Sequence, residues 1–260
     1  NIIFIFADDW GYGDLSSHGS TWIKTPNLDQ MAREGIDFTS FTVNSPVCSP
    51  SRTAVMTGQF PARQCMHQHL AGIESNRKRG MPDWLDPTVP MLPGILQKAG
   101  YVTGHFGKWH LGGCSDSPTE DKYGYDAYST FNGSGTNELS AKGLESVDHT
   151  EDFIRTNRDK IFFVNLWLHE THLPHFPQEK YLEQFKDLDE QKRVYASVVA
   201  EGDEGVGRIL HLLKELKIDE NTLVIFSSDN GPEFAVDDKQ KFQYHGSNSK
   251  PGGLGKYYSV

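Results

Sequence analysis

Four short stretches of the chain carry side chains that could do chemistry, and their types suggest which chemistry. Asp8-Asp9 and Asp229-Asn230 are hard oxygen donors of the kind that hold Ca²⁺ or Mg²⁺, whereas zinc prefers imidazole and thiolate. Three carboxylates crowded together would repel one another unless a cation lay between them. Taken alone, each pair also reads as a turn or a helix cap. Lys108 and His110 add a cation and an acid–base group. His169, Glu170, His172 and His175 form an imidazole-rich run. Its His-Glu-Thr-His order is one residue short of the zinc-binding H-E-x-x-H pattern, and Pro174 breaks any helix there. The run reads as imidazoles lining an anion pocket, with a zinc cluster as the alternative. Cys48-Ser-Pro-Ser-Arg52 follows a loop and enters a helix. A thiol at a helix N-terminus is acidified by the helix dipole. Arg52, one turn on, shares its face and can hold an anion beside it. The alternative for Cys48 is a buried structural thiol.

These groups can act together only if the fold brings them to one place. Short apolar runs predict strands over residues 1–7, 36–43, 101–106, 161–168 and 222–227. Between them, capping and periodicity predict helices from Thr25-Pro26 to Gly35 and over 49–57, 90–99, 146–157 and 192–216. Gly202, Gly205 and Gly207 weaken the centre of the last helix. Residues 115–140 read as a glycine-containing loop, an insertion that could lie over a site. Alternating strands and helices predict an α/β fold with a mainly parallel central sheet flanked by helices. In such sheets ligands bind beyond the carboxyl ends of the strands. The predicted strands 1–7, 101–106, 161–168 and 222–227 run into the aspartate pair, Lys108 and His110, the histidine run, and Asp229-Asn230 respectively.

With the residues in view, a family resemblance emerges. Cys48-Ser-Pro-Ser-Arg52 resembles the C-x-P-S-R signature of the formylglycine-dependent (type I) sulfatases, in the alkaline phosphatase-like superfamily. Asp8-Asp-Trp-Gly-Tyr-Gly-Asp14, Gly107-Lys-Trp-His-Leu-Gly112 and Ser228-Asp-Asn-Gly-Pro232 resemble further segments of that family, in the same order. The resemblance implies an alkaline phosphatase-like α/β fold and a nucleophile made after translation. Cys48 would be oxidised to formylglycine by a formylglycine-generating enzyme, and its hydrated aldehyde would attack the sulfur of a sulfate ester. It further implies that Asp8, Asp9, Asp229, Asn230 and the oxygen formed at Cys48 hold Ca²⁺. Arg52 would support the nucleophile, Lys108 and His110 would contact sulfate and formylglycine, and His172 would serve the leaving oxygen. Gly252-Gly-Leu-Gly-Lys256 resembles the stretch that supplies a further substrate lysine, Lys256. His169 and His175 are candidates for contacts to the substrate's sugar ring.

Composition bounds the rest. The 260 residues carry 25 Lys and Arg against 35 Asp and Glu, a net charge of −10. That balance argues against nucleic acid or an anionic membrane surface as partner. No stretch approaches the roughly 18 apolar residues of a membrane span. Three cysteines, Cys48, Cys65 and Cys114, cannot make a disulfide framework. The expectation is therefore one sulfatase N-terminal catalytic domain over 1–260, without the C-terminal antiparallel subdomain that members of the family add. It would act on a sulfated small molecule or saccharide, in a periplasmic or extracellular setting by family habit. Three alternatives stand beside it: phosphodiester or phosphonate monoester hydrolysis, a non-catalytic anion- or glycan-binding remnant, and a thiolate enzyme using Cys48 directly.

Overall fold

The computed structural model describes residues 1–132 and 144–232. Lys256 and part of the loop-rich stretch lie outside them. Among the described residues five strands form the sheet: β1 (Ile2–Ala7), β2 (Val102–Lys108), β3 (Ala127–Phe131), β4 (Phe162–Trp167) and β5 (Leu223–Ser228). Their order is β3-β2-β4-β1-β5, and every pairing is parallel. The helices are α1 (Pro26–Glu34), α2 (Cys48–Thr57), α3 (Ile73–Lys78), α4 (Leu92–Lys98), α5 (Glu145–Asn157), α6 (Glu179–Leu182) and α7 (Glu190–Leu216). The expected parallel α/β architecture is the one observed.

Burial on both faces explains why β1 and β4 read as apolar runs, broken in β4 only by Asn165. All six residues of β4 are buried. Alternate side chains point to opposite faces. Ile3, Ile5, Val164 and Leu166 pack with Val147, Phe153 and Ile154 of α5 and Val199, Val206 and Ile209 of α7. Phe6, Phe163 and Trp167 pack on the other face with Met56, Trp109, Tyr123 and Tyr125.

Helix α7 runs through its glycines without a break. Asp189 caps its start, accepting from the Lys192 N–H at 3.1 Å. At Gly207 a Cβ would stand 2.4 Å from the Asn27 side chain, so glycine lets α7 close on the start of α1. Asp203 of α7 then accepts from the backbone N–H groups of Asn27 (3.1 Å) and Leu28 (2.9 Å), satisfying the first turn of α1.

Two sequence expectations fail. Residues 36–43 are not a strand: they pair with no strand among the described residues, and Ile36, Phe38 and Phe41 are exposed. A short apolar segment gives a strand only where a neighbour takes up its backbone hydrogen bonds. Conversely, the stretch 115–140 contains β3, which pairs with β2 from Gly104↔Ala127 to Lys108↔Phe131.

Candidate active site

Parallel strands deliver their loops to one end of the sheet. At that end β1 and β5, in register with Ala7 opposite Ser228, set Asp8-Asp9 beside Asp229-Asn230. All four residues are buried. One carboxylate oxygen each from Asp8, Asp9 and Asp229 lies within 4.8 Å of the other two. The Asp9 N–H donates to Asp229 Oδ1 (3.2 Å), and Asn230 Nδ2 donates to Asp9 Oδ1 (2.5 Å). Asp9 holds φ at 57°, a left-handed conformation that Asp tolerates better than most residues.

Two cations counter this cluster from inside the protein. Arg52, fully buried on α2, donates from Nη2 to Asp229 Oδ2 (2.8 Å) and lies 3.4 Å from Asp8 Oδ1. Its Nη1 donates to the Lys108 carbonyl (3.1 Å), and its guanidinium sits 4.9 Å from the Trp167 ring centroid. Lys108, the last residue of β2, donates from Nζ to Asp8 Oδ2 at 2.6 Å. Burial opposes ionisation of Asp8, yet Lys108, His172, His169 and Arg52 together hold its carboxyl well below the usual range. Asp229 goes the other way: burial, with the Asp8 carboxylate beside it, pushes it up to about 8. Two protein cations thus face three buried carboxylates, and one of those carboxylates ionises reluctantly. Asp8 Oδ1 and Asn230 Oδ1 are buried and accept no hydrogen bond among the described residues. This all-oxygen set fits a hard divalent cation.

Cys48 begins α2, and its buried Sγ lies 3.2 Å from His110 Nδ1. His110 is itself placed by three contacts. Its Nε2 meets the Leu70 carbonyl (3.0 Å), its N–H donates to Asn132 Oδ1 (3.0 Å), and its carbonyl accepts from Ser49 Oγ (2.8 Å). A carbonyl can only accept, so Nε2 carries the hydrogen and Nδ1 presents a lone pair to the residue-48 side chain. Burial, with Lys108 nearby, pushes the His110 imidazolium well below its ordinary pKa, so the ring is neutral near pH 7. Its φ of 55° is a strained conformation held by these contacts.

The histidine run splits. His169 donates from Nδ1 to Asp8 Oδ2 and stacks on His172, with ring centroids 4.6 Å apart. Asp8, His169 and His172 also bring ligand atoms within 4.8 Å of one another. His172 Nε2 stands 3.9 Å from Asp9 Oδ2, while its Nδ1 donates to the Leu173 carbonyl at 2.6 Å. His175 turns elsewhere, with Nε2 on the Thr171 carbonyl (3.1 Å) and its ring 5.6 Å from Tyr195. The structure therefore groups Asp8, Asp9, Arg52, Lys108, His169, His172, Asp229 and Asn230, with Cys48 and His110 alongside. It does not bring His175 into that group.

Three positioning residues escaped the sequence reading. Thr171 donates to the Asp8 carbonyl. Ser49 joins the His110 carbonyl to the Leu70 N–H, which donates to it at 3.0 Å. Asn132 holds the His110 backbone from beyond β3. Only Ser49 carried a signal, being inside the Cys48–Arg52 motif. Past His169 a cleft opens, lined among others by Glu145, His149, Glu170, Phe176 and Glu201. Burial pushes Glu170 up to about 7 and, together with Glu170 itself, Glu201 up to about 8.

Comparison with known proteins bears on this site. The family model described as Sulfatase matches residues 1–255. The chain is 32% identical to human N-acetylgalactosamine-6-sulfatase over 89% of its length, covering 50% of that protein. It is 32% identical to human arylsulfatase A over 90% of its length, covering 52% of that protein. The chain thus spans about half the length of these curated relatives. The crystal structure of Ps i-CgsB superposes with a TM-score of 0.81 at 28% identity, covering 99% of this chain and 62% of that one.

Proposed function

This chain belongs to the sulfatase family, and on that premise we propose that it is the N-terminal catalytic domain, over 1–260, of an enzyme that hydrolyses sulfate monoesters of a carbohydrate. The two human relatives are named for sulfate ester chemistry, one of them on N-acetylgalactosamine 6-sulfate, which supports a sulfated sugar as substrate. What supports the chemistry most is Cys48 Sγ facing the lone pair of His110 Nδ1 at 3.2 Å, at the start of a helix and beside buried Arg52 and Lys108.

Asp8, Asp9, Asp229 and Asn230 would hold calcium, with the oxygen at position 48 as a further ligand. Formylglycine made from Cys48 by its generating enzyme would supply the nucleophile, and calcium would supply positive charge toward the ester oxygens. The remaining work falls to the chain's own groups. His110 Nδ1 takes a proton from the group at position 48. Arg52 and Lys108 orient and neutralise the anion, which is worth most where water is excluded. His172 has Nδ1 donating to a carbonyl, so it would act as the imidazolium, handing the Nε2 proton to the departing alcohol oxygen and becoming neutral. Lys256 would be a further substrate contact. His169, already donating to Asp8, would meet the sugar ring through its other nitrogen, and His175 would act farther out. Export to the periplasm or the cell exterior fits this role. No helix among the described residues is long and apolar enough to cross a membrane.

Parallel kinetics with 4-nitrophenyl sulfate and 4-nitrophenyl phosphate test the assignment. Faster sulfate turnover is expected. Faster phosphate turnover would move the enzyme to the phosphoester or phosphonate branch. Binding of sulfated ligand without turnover would make it a binding protein.

A further inference from the structure

The chain as a whole carries −10, yet one stretch beside the site is basic. Between residues 59 and 80 lie Arg63, Arg77, Lys78 and Arg79, with His67 and His69, against a single acid, Glu74. All seven side chains are exposed. Glu74 pairs with Lys78 at 3.1 Å. Arg63, Arg77 and Arg79 make no ion pair among the described residues. Their positive charge is therefore presented to solvent.

The stretch is fastened to the site by short contacts. Leu70 gives its N–H to Ser49 (3.0 Å) and its carbonyl to His110 (3.0 Å), the residue facing Cys48. The rings of His69 and His110 are 6.4 Å apart. Arg79, just past α3, donates from Nη1 to the His69 carbonyl at 3.1 Å. An extended anion is therefore drawn to the α3 side of the site.

We propose that α3 and the loop before it form a secondary binding surface for another anionic group, sulfate or carboxylate, on a polyanionic oligosaccharide whose reacting ester sits at position 48. This deepens the sulfate ester reading, on which it rests for the identity of that ester. Each exposed pair is weak alone, so the surface works by number and is sensitive to salt.

The test uses the full chain and a triple variant, Arg63→Ala, Arg77→Ala and Lys78→Ala, which leaves Arg79 on the His69 carbonyl. The probes are a galactan hexasaccharide with several sulfates and 4-nitrophenyl sulfate, which has no second anionic group. The triple variant is expected to raise KM for the hexasaccharide about tenfold, with kcat for it and both constants for the aryl ester within twofold. The difference should vanish near 1 M salt, where the screening length falls to about 3 Å. Equal effects on both probes, or no effect on either, would overturn the proposal, as would tighter binding to phosphatidylserine vesicles than to the hexasaccharide. Calorimetric hexasaccharide binding separates the two layers. A protein that never turns over the aryl ester fails as a sulfatase, whereas loss of hexasaccharide binding in the triple variant still upholds the surface.

Discussion

Replacing Arg52 with methionine should expose how the buried charges are balanced. The guanidinium is 2.8 Å from Asp229 and 3.4 Å from Asp8, and both partners are fully buried. Removing one member of such a pair strands the other, at a cost of about 3–5 kcal/mol. Arg52→Lys keeps the charge but loses the planar fork that spans Asp229 and the Lys108 carbonyl, so about 1–2 kcal/mol is expected. Calcium supplies the discriminating arm. At a hundred times its dissociation constant, a ligand specific for the native state adds about 2.7 kcal/mol. If Arg52 and the cation serve the same carboxylates, calcium should stabilise Arg52→Met more than it stabilises the wild type. Urea unfolding at pH 7, in chelator and in millimolar calcium, measures both quantities. An Arg52→Met variant within 1 kcal/mol of wild type, or an equal calcium increment in both proteins, would refute the charge balance described here.

Other expectations follow from single contacts. Lys108→Met, which removes the ammonium 2.6 Å from Asp8, should lower kcat/KM for an aryl sulfate by about 10²-fold or more; a change under threefold would remove Lys108 from the site's chemistry. Gly107 has φ of 109°, and a Cβ there would stand 2.0 Å from the Trp167 carbonyl, so Gly107→Ala should cost about 3 kcal/mol or more by chemical denaturation. Burial holds the His105 imidazolium down at about 3. A depressed pKa means stability present above the unfolded value near 6.5 and lost as pH falls toward 3. Wild type should therefore lose about 2 kcal/mol from this group between pH 6.5 and 5, and His105→Phe should show a correspondingly flatter stability profile.

Much of the fold was readable because its signals are local. β1 is an unbroken apolar run and β4 is broken only by Asn165, as expected of strands buried on both faces. β3, with the sequence Ala-Tyr-Ser-Thr-Phe, has no such run and exists through its pairing with β2. Residues 36–43 show the converse, with strand-like apolar residues and no partner strand among the described residues. At the site, the hard-oxygen pairs and the Cys48–Arg52 spacing were legible from residue type. The division of the histidines was not: His172 and His175 are three residues apart, yet one ring faces Asp9 and the other Tyr195. Nor was the role of Asn132, because its partner His110 is 22 residues away and meets it only across the strand ends.

Whether the nucleophile is made at position 48 can be read by mass spectrometry of the peptide bearing Cys48, from protein matured in its native host. An aldehyde in place of the thiol is expected at that residue. A peptide carrying only unmodified cysteine, from protein that nonetheless turns over sulfate esters, would contradict it.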